Sequence, residues 1–365
     1  MSVHNSGLSQ GMAEQEKGPD AVVSGAGRAS RRRSGRVTMR EVADRAGVSK
    51  ITVSRLLRDP DSVSKKLRPR VEAAIRELGY VPNRIAGGLA SMHTQMIPVI
   101  VPALTNSVFA DIVQGVHDVL LSRGYQILLG NTNYSPDEEE ALISALLGWF
   151  PEGIIVTGTH HSENGRAILE NSGIPVVEVM GLGDQPVDMN VGFSNFQAGY
   201  EMAGYLFDRG YRRIAFVGAL MDLDLRAAER RDGCCAALAE RGLPVNLGMD
   251  CPGRSALRLG GEAIARVLEQ TPEVDAVFFA NDVLAVGAIL ECERRGVEVP
   301  GRVAIAGFNG LDIGAETNPA LTTVFSPRYK MGHMAAEMLM QRLAGEEVEN
   351  KVIDTGFEII ERQST

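Results

Sequence analysis

Three arginines, Arg226, Arg230 and Arg231, stand in the stretch Asp222 to Gly233, following the apolar run RIAFVG. A guanidinium aimed into a cleft grips a carboxylate or vicinal hydroxyls with two parallel hydrogen bonds, a geometry that lysine cannot reproduce. Other polar residues also follow short apolar runs. Thr105, Asn106, Ser107, Val108 and Phe109 come after IPVIVP and offer amide, hydroxyl and aromatic contacts. Thr159, His160 and His161 follow GIIVTG, Asn281 follows AVFFA, Asn309 follows VAIAGF, and Glu178 lies near the end of PVVEVM. Two adjacent histidines point apart and no third ligand stands at a convincing spacing, so the pair predicts no metal site. His161 reads either as a hydrogen-bonding pocket residue or as a plain surface histidine. No Ser/His/Asp or Cys/His constellation has a recognisable context. Gly181-Leu182-Gly183 opens no helix and is followed by neither a Walker lysine nor a Rossmann acidic partner. These residues point to binding without catalysis, metal or cofactor.

The elements that must position them follow from periodicity. The runs IPVIVP, YQILLG, GIIVTG, PVVEVM, RIAFVG, AVFFAND and VAIAGF alternate with helical patterns, one of them Asp111 to Arg123. Such alternation predicts parallel sheets with right-handed crossovers, and its length suits two similar α/β subdomains. Ligands in sheets of this kind bind beyond the carboxyl ends of the strands, where the polar residues above stand. SPDEEEAL, from Ser135, is a helix start and not a calcium loop: Ser135 and Glu138 have capping-box spacing, and acids in a first turn complement the helix dipole.

Charge divides the chain of 365 residues. The net charge of -9 hides 16 Lys+Arg against 6 Asp+Glu from Arg28 to Gln95, while the remainder from Met96 is strongly acidic. A basic module suits a polyanion, so nucleic acid is expected at that end only. The 4 cysteines have neither zinc-like nor paired secretory spacing, which places the protein in a reducing cytoplasm. No run of 18 apolar residues and no secretory h-region is present, so no membrane partner is expected.

The basic module has the order of a helix-turn-helix. Residues 1–35 are polar and aperiodic and read as a disordered basic arm. Thr38 and Glu41 have capping-box spacing for a helix from about Met39 to Arg45; Ala46-Gly47-Val48 makes a tight turn; Ser49 caps a second helix, Lys50 to Leu57. That helix turns Val53, Leu56 and Leu57 inward and leaves Lys50, Ile51, Thr52, Ser54 and Arg55 near its start or outward. Short side chains at its first turn let it approach a major groove, and Arg55 can reach phosphate or a guanine edge. After the turn Asp59-Pro60-Asp61, Ser64 is placed as cap of a third helix with Val71, Ala74, Ile75 and Leu78 inward. Pro69 predicts that its regular part starts near Arg68.

The run VTMREVADRAGVSKITVSRLLRDPDSVSKKLRPRVEAAIRELGYVPNRIAGGLA resembles the DNA-binding headpiece of the lactose/galactose repressor family, and the acidic remainder resembles its effector domain. The resemblance implies a helix-turn-helix headpiece over 36–82, a hinge helix and linker over 83–95, and a periplasmic-binding-protein-like effector and dimerisation domain over 96–365. It implies that Thr38, Ser49, Lys50, Ile51, Thr52, Ser54, Arg55 and Asn83 meet palindromic operator DNA, and that Leu89 wedges between central base pairs. Gly87-Gly88 replaces the family's usual pair of small polar residues there and disfavours helix. AVGFSNFQAG, NDVLAVGA, AIAGFNGLDIG and PALTNSVFADIVQGV look most like the gluconate-operon repressor branch. That implies a homodimer with a sugar-acid effector, its carboxylate on Arg230, its hydroxyls on Asn106, His161, Asn281 and Asn309, and Phe109 over its carbon chain. Asn309 departs from the Asp of many members, which makes room for an anionic ligand. Glu178 could also meet hydroxyls, though it would oppose a nearby ligand carboxylate. The competing readings are a regulator in this family that answers to another metabolite or a protein corepressor, and a sugar-acid-binding protein without DNA function.

Overall fold

The computed structural model describes residues 37–82, 94–244 and 248–365, which fall into two compact units parting at Asn83. The expected arm, and the hinge segment with Asn83, Leu89 and Gly87-Gly88, lie outside the described residues.

The first unit is three helices, α1 (Met39–Ala46), α2 (Lys50–Arg58) and α3 (Arg68–Leu78), with a 3-10 turn at Pro60–Ser62. Thr38 and Glu41 form the reciprocal box at the start of α1, and Gly47 ends it with a left-handed φ of 63° that a side chain resists. Val42, Ala46, Val53, Leu56, Val71 and Ala74 form the core. Two expectations are corrected. Leu57 is exposed, because Val53 and Leu56 already fill the face that α2 turns inward. Ser64 caps nothing: Pro69 sits in the first turn of α3, the helix starts at Arg68, and only the Ser64 carbonyl takes part in the preceding turn.

The second unit holds two six-stranded sheets. The first has the order β11-β5-β4-β3-β1-β2, from β1 (Met96–Val101), β2 (Gln126–Asn131), β3 (Ile154–Thr157), β4 (Val176–Val179), β5 (Met189–Gly192) and β11 (Val352–Asp354). The second has the order β12-β10-β9-β8-β6-β7, from β6 (Ile214–Ala219), β7 (Gly248–Cys251), β8 (Ala276–Phe279), β9 (Ala304–Asn309), β10 (Thr322–Phe325) and β12 (Glu358–Ile360). All pairings are parallel except that of β12 with β10. Side chains on both faces of the central strands are buried: Ala276 and Phe278 of β8 join one apolar cluster, Val277 and Phe279 another. This accounts for their continuous apolar runs. In both sheets the strand order reverses between the first and third strands, the crevice where doubly wound folds take ligands.

The first sheet carries α4 (Ser107–Ser122), α5 (Pro136–Leu147), α6 (Glu163–Glu170) and α12 (Arg328–Leu343); the second carries α7 (Asn195–Asp208), α8 (Leu225–Glu240), α9 (Leu257–Gln270), α10 (Asp282–Arg295) and the short α11 (Asp312–Ala315). The chain crosses between the subdomains three times, at Phe193–Ser194, Ser326–Pro327 and Thr355–Phe357. At the last crossing Thr355 donates from its N–H (2.7 Å) and its hydroxyl (3.0 Å) to the Gly192 carbonyl. α4 begins at Ser107 and not at Asp111, because the Asn106 side chain caps it by accepting from the Val108 N–H. At α5 only half of the expected box forms: Ser135 accepts from the Glu138 N–H, while the Glu138 carboxylate accepts from Asn133. Among the described residues, no helix is long and apolar enough to cross a membrane, and no group of three or more His, Cys, Asp or Glu could hold a metal ion.

Candidate functional site

In the first unit, Ser49 caps α2 by accepting from the Thr52 N–H, and the two hydroxyls lie 3.0 Å apart. Thr38, Ser49, Lys50, Ser54 and Arg55 are exposed, Thr52 is half-buried, and Ile51 is 66% exposed although it is apolar. An exposed isoleucine beside short hydroxyls and two cations gives α2 a first turn with both apolar and hydrogen-bonding reach, suited to base edges. The Arg70 guanidinium donates to the Ala46 carbonyl at the end of α1, tying the third helix to the turn that orients α2.

In the second unit, the ends of the strands converge on the cleft between subdomains. Five non-glycine residues in the loops or strand ends there have left-handed φ: Asn133, Tyr134, Met180, Leu220 and Asn309. Strained backbone persists where its surroundings over-determine it, and it clusters at binding sites. Arg230, on α8, is buried; burial pulls its guanidinium down to about 10 while the negative charge of Asp224 opposes the fall. It donates to the Asn195 amide oxygen at 2.9 Å and lies over the Phe308 ring, 4.2 Å from the centroid. Its Nε has no hydrogen-bond partner, and among the described residues it forms no ion pair. A buried cation without an ion-pair partner is costly.

Around this arginine the structure gathers part of the expected set. Tyr134 hydrogen-bonds Asn106, and its hydroxyl feels the charges of Asp224, Arg226 and Arg230; burial is the largest reason its pKa is raised. Phe109 is buried in the core, with the Arg226 guanidinium 5.6 Å from its ring centroid. Asn281 caps α10 through the Leu284 N–H and donates to Ser255 at 2.8 Å. Asn309 is buried at the end of β9, next in sequence to Phe308, and its carbonyl accepts from Arg328, which also grips Asp111 at 2.9 Å.

His161 is placed differently from the expectation of direct ligand contact. Its side chain is fully buried and both ring nitrogens are occupied, Nδ1 by Glu139 at 2.6 Å and Nε2 by Glu178 at 3.2 Å. Burial alone pulls the imidazole down; the hydrogen bonds to Glu139 and then Glu178, with their charges, more than reverse this and leave it at about 9. Glu178 spends its second oxygen on the Val187 N–H at 2.7 Å, so neither residue has a free polar atom for a ligand. Glu139 instead lines a cavity of about 70 Å3, together with Thr132, Tyr134, His160 and Arg226. That volume is below the roughly 300–1,000 Å3 of small-molecule pockets. Contacts also bridge the cleft: His160 meets Glu229 at 2.6 Å, and Arg254 donates to Asn133.

The model for periplasmic binding proteins and the sugar binding domain of the LacI family matches residues 94–361, and that for bacterial regulatory proteins of the lacI family matches residues 38–83. The chain belongs to the LacI family. This LacI-family member is 44% identical over 336 residues to the HTH-type transcriptional regulator GntR of Pseudomonas aeruginosa, covering 92% of this chain and 97% of that protein. It is 41% identical over 322 residues to GntR of Escherichia coli K12, covering 88% and 96%. A LacI-family regulator from Silicibacter pomeroyi superposes with a TM-score of 0.85 at 39% identity, over 90% of this chain and 99% of that one. GntR from Chromobacterium violaceum superposes with a TM-score of 0.70 at 39% identity, over 74% and 98%. The LacI-family chain is accordingly a DNA-binding transcription regulator with a helix-turn-helix unit and a periplasmic-binding-protein-like domain. Sequence reasoning passed over Glu139, Asn195, Phe308 and Arg328. Glu139 was hidden in the acidic first turn of α5, and Phe308 in an apolar run that reads as core.

Proposed function

We propose that this protein is a homodimeric repressor whose hold on a palindromic operator is controlled by a sugar acid, gluconate or a keto-gluconate, bound between the two subdomains. The observation that carries the reading is the buried Arg230 with its unpartnered Nε, stacked on Phe308 and without an ion-pair partner among the described residues. The carboxylate of the acid completes its hydrogen bonds. Asn106, Asn281 and Asn309 take hydroxyls at the strand ends, and Phe109 lies beneath the arginine side of the site. On the other unit, Thr38, Ser49, Lys50, Ile51, Thr52, Ser54 and Arg55 form the DNA-reading surface, with Asn83 and Leu89 in the hinge. The domain limits are those of the sequence reading: arm 1–35, headpiece 36–82, hinge and linker 83–95, effector domain 96–365. An effector alters operator affinity only through unequal affinity for the two states, and a cleft that must open and close around the ligand supplies that inequality.

The test is titration of the purified full chain against a palindromic site from its own upstream region at fixed salt, with gluconate, 2-ketogluconate or neutral sugars. A change in operator affinity with an acid and not with neutral sugars supports the reading. Tight DNA binding indifferent to every acid overturns the sugar-acid assignment and points to another metabolite or a protein corepressor.

A further inference from the structure

We propose that Glu139 reads the hydroxyl tail of the bound acid, and that His161, wedged between Glu139 and Glu178, is the residue that positions it. The inference rests on the sugar-acid reading and adds the element that separates a polyhydroxy acid from any other small carboxylate.

The cavity is chemically polarised. Arg226 lines it from α8, and the lining Tyr134 feels the charge of Arg230; Glu139 lines it from the first turn of α5. A simple carboxylate ligand would be served by the arginines and would gain nothing from a facing carboxylate. A sugar acid differs in carrying a chain of O–H donors away from its charged end. A carboxylate accepts such donors in charge-assisted hydrogen bonds, which are about twice as strong as neutral ones.

Glu139 has the features such a reader needs. Its side chain is 14% exposed, while the His161 and Glu178 side chains are wholly enclosed, so only the outermost member of the triad meets the cavity. One Glu139 oxygen is committed to His161 Nδ1 at 2.6 Å. That bond fixes the carboxylate's rotation and supplies a positive neighbour, so the remaining acceptor positions call for neutral O–H donors and not for a cation. Behind it, Glu178 holds Nε2 at 3.2 Å and is itself pinned by the Val187 N–H at 2.7 Å. The chain Val187, Glu178, His161, Glu139 thus runs from the β4–β5 loop to the cavity wall. A ligand-facing group held by such a chain arrives pre-oriented and loses little freedom on binding.

The test compares gluconate with the four-carbon acid L-threonate, which keeps the carboxylate and the C2 and C3 hydroxyls in gluconate's configuration and lacks the distal ones, by calorimetric titration of the full-length protein. For Glu139→Gln the expected result is a loss of about 10- to 100-fold in gluconate affinity with L-threonate affinity changed by less than about threefold. For His161→Gln the same selective loss is expected, and in the Glu139→Gln/His161→Gln double variant the losses do not add, since both act through one hydrogen bond. Equal losses for the two acids, or no loss with gluconate, would overturn the role of Glu139. Additive losses would overturn the positioning role of His161 and leave Glu139 standing. Should His161→Gln fail to fold, Glu139→Gln alone still decides the main claim. A wild-type protein that binds neither acid removes the sugar-acid reading itself, and this inference with it.

Discussion

Arg230 lies over the ring of Phe308 at 4.2 Å from its centroid, so a cation–ring contact joins helix α8 to strand β9. The ring face stabilises the cation by its quadrupole, and the single hydrogen bond to Asn195 holds the guanidinium without neutralising it. Arg230→Ala is therefore expected to lower sugar-acid affinity by about 10- to 150-fold, while operator affinity in the absence of effector stays unchanged. Parallel calorimetry and DNA titration check this. Arg230→Lys is expected to recover little, since a point charge reproduces neither the stacking nor the paired hydrogen bonds.

The placement of Arg230 depends on two glycines. A Cβ at Gly199 of α7 would come within 2.0 Å of the Arg230 carbonyl, and one at Gly233 of α8 within 1.9 Å of the Phe196 carbonyl. Neither backbone can yield without separating the helices. Gly199→Ala is expected to destabilise the protein by about 1–3 kcal/mol or more and to weaken effector binding by displacing the arginine. Urea unfolding read together with effector titration tests the pair of effects.

His161 links stability to pH. Its folded-state value of about 9 lies above the ordinary 6.5, so the native state binds the proton more tightly than the unfolded chain does. The stabilisation is fully present below about pH 6.5 and is lost as the pH rises through about 9, a change on the order of 3 kcal/mol. His161→Gln lacks this titration. The expected outcome is that the wild type's advantage in urea midpoint over the variant shrinks steadily from neutral to alkaline pH. A constant difference across that range would mean that the proton is not held by the two carboxylates.

On the headpiece, Arg55 is exposed on α2 and makes no ion pair among the described residues. If it meets phosphate, Arg55→Ala weakens operator binding about uniformly across sequences and reduces the slope of log affinity against log salt by about one. If it meets a guanine, discrimination at one base pair falls by about 1–3 kcal/mol instead. Competition assays over a salt series distinguish these, and unaltered operator affinity in every salt would remove Arg55 from the interface. Effector binding is expected to be unaffected.

Much of this was legible because it is local. The Thr38–Glu41 box, the Gly47 turn and the Ser49 cap are properties of three or four adjacent residues, and each forms as the spacing implies. The apolar runs such as GIIVTG and VAIAGF are strands because both their faces are covered. Strands of another kind were missed: β5 reads MNVG, β7 GMDC and β10 TTVF, and β11 and β12 are three residues each at sheet edges, too short to show a period. The site was legible where polar residues follow strands, as at Asn106 and Asn281. It was not legible where a residue's role comes from a distant partner. His161 stands 17 residues from Glu178 and 22 from Glu139, and only the fold reveals that both of its nitrogens are taken. Glu139 belongs to an acidic turn that serves the helix dipole equally well, so its composition disguises it.

The third crossing between the subdomains sets a mechanical limit. Strand β11 ends at Asp354 on one sheet and β12 begins at Glu358 on the other. Four backbone steps fully stretched span roughly 14 Å, so the two sheet edges can part no further than this without unzipping a strand. The C-terminal segment is a tether of fixed length, and the two earlier crossings, Gly192 to Asn195 and Phe325 to Arg328, are no longer than it, so all three hold the subdomains to a short leash.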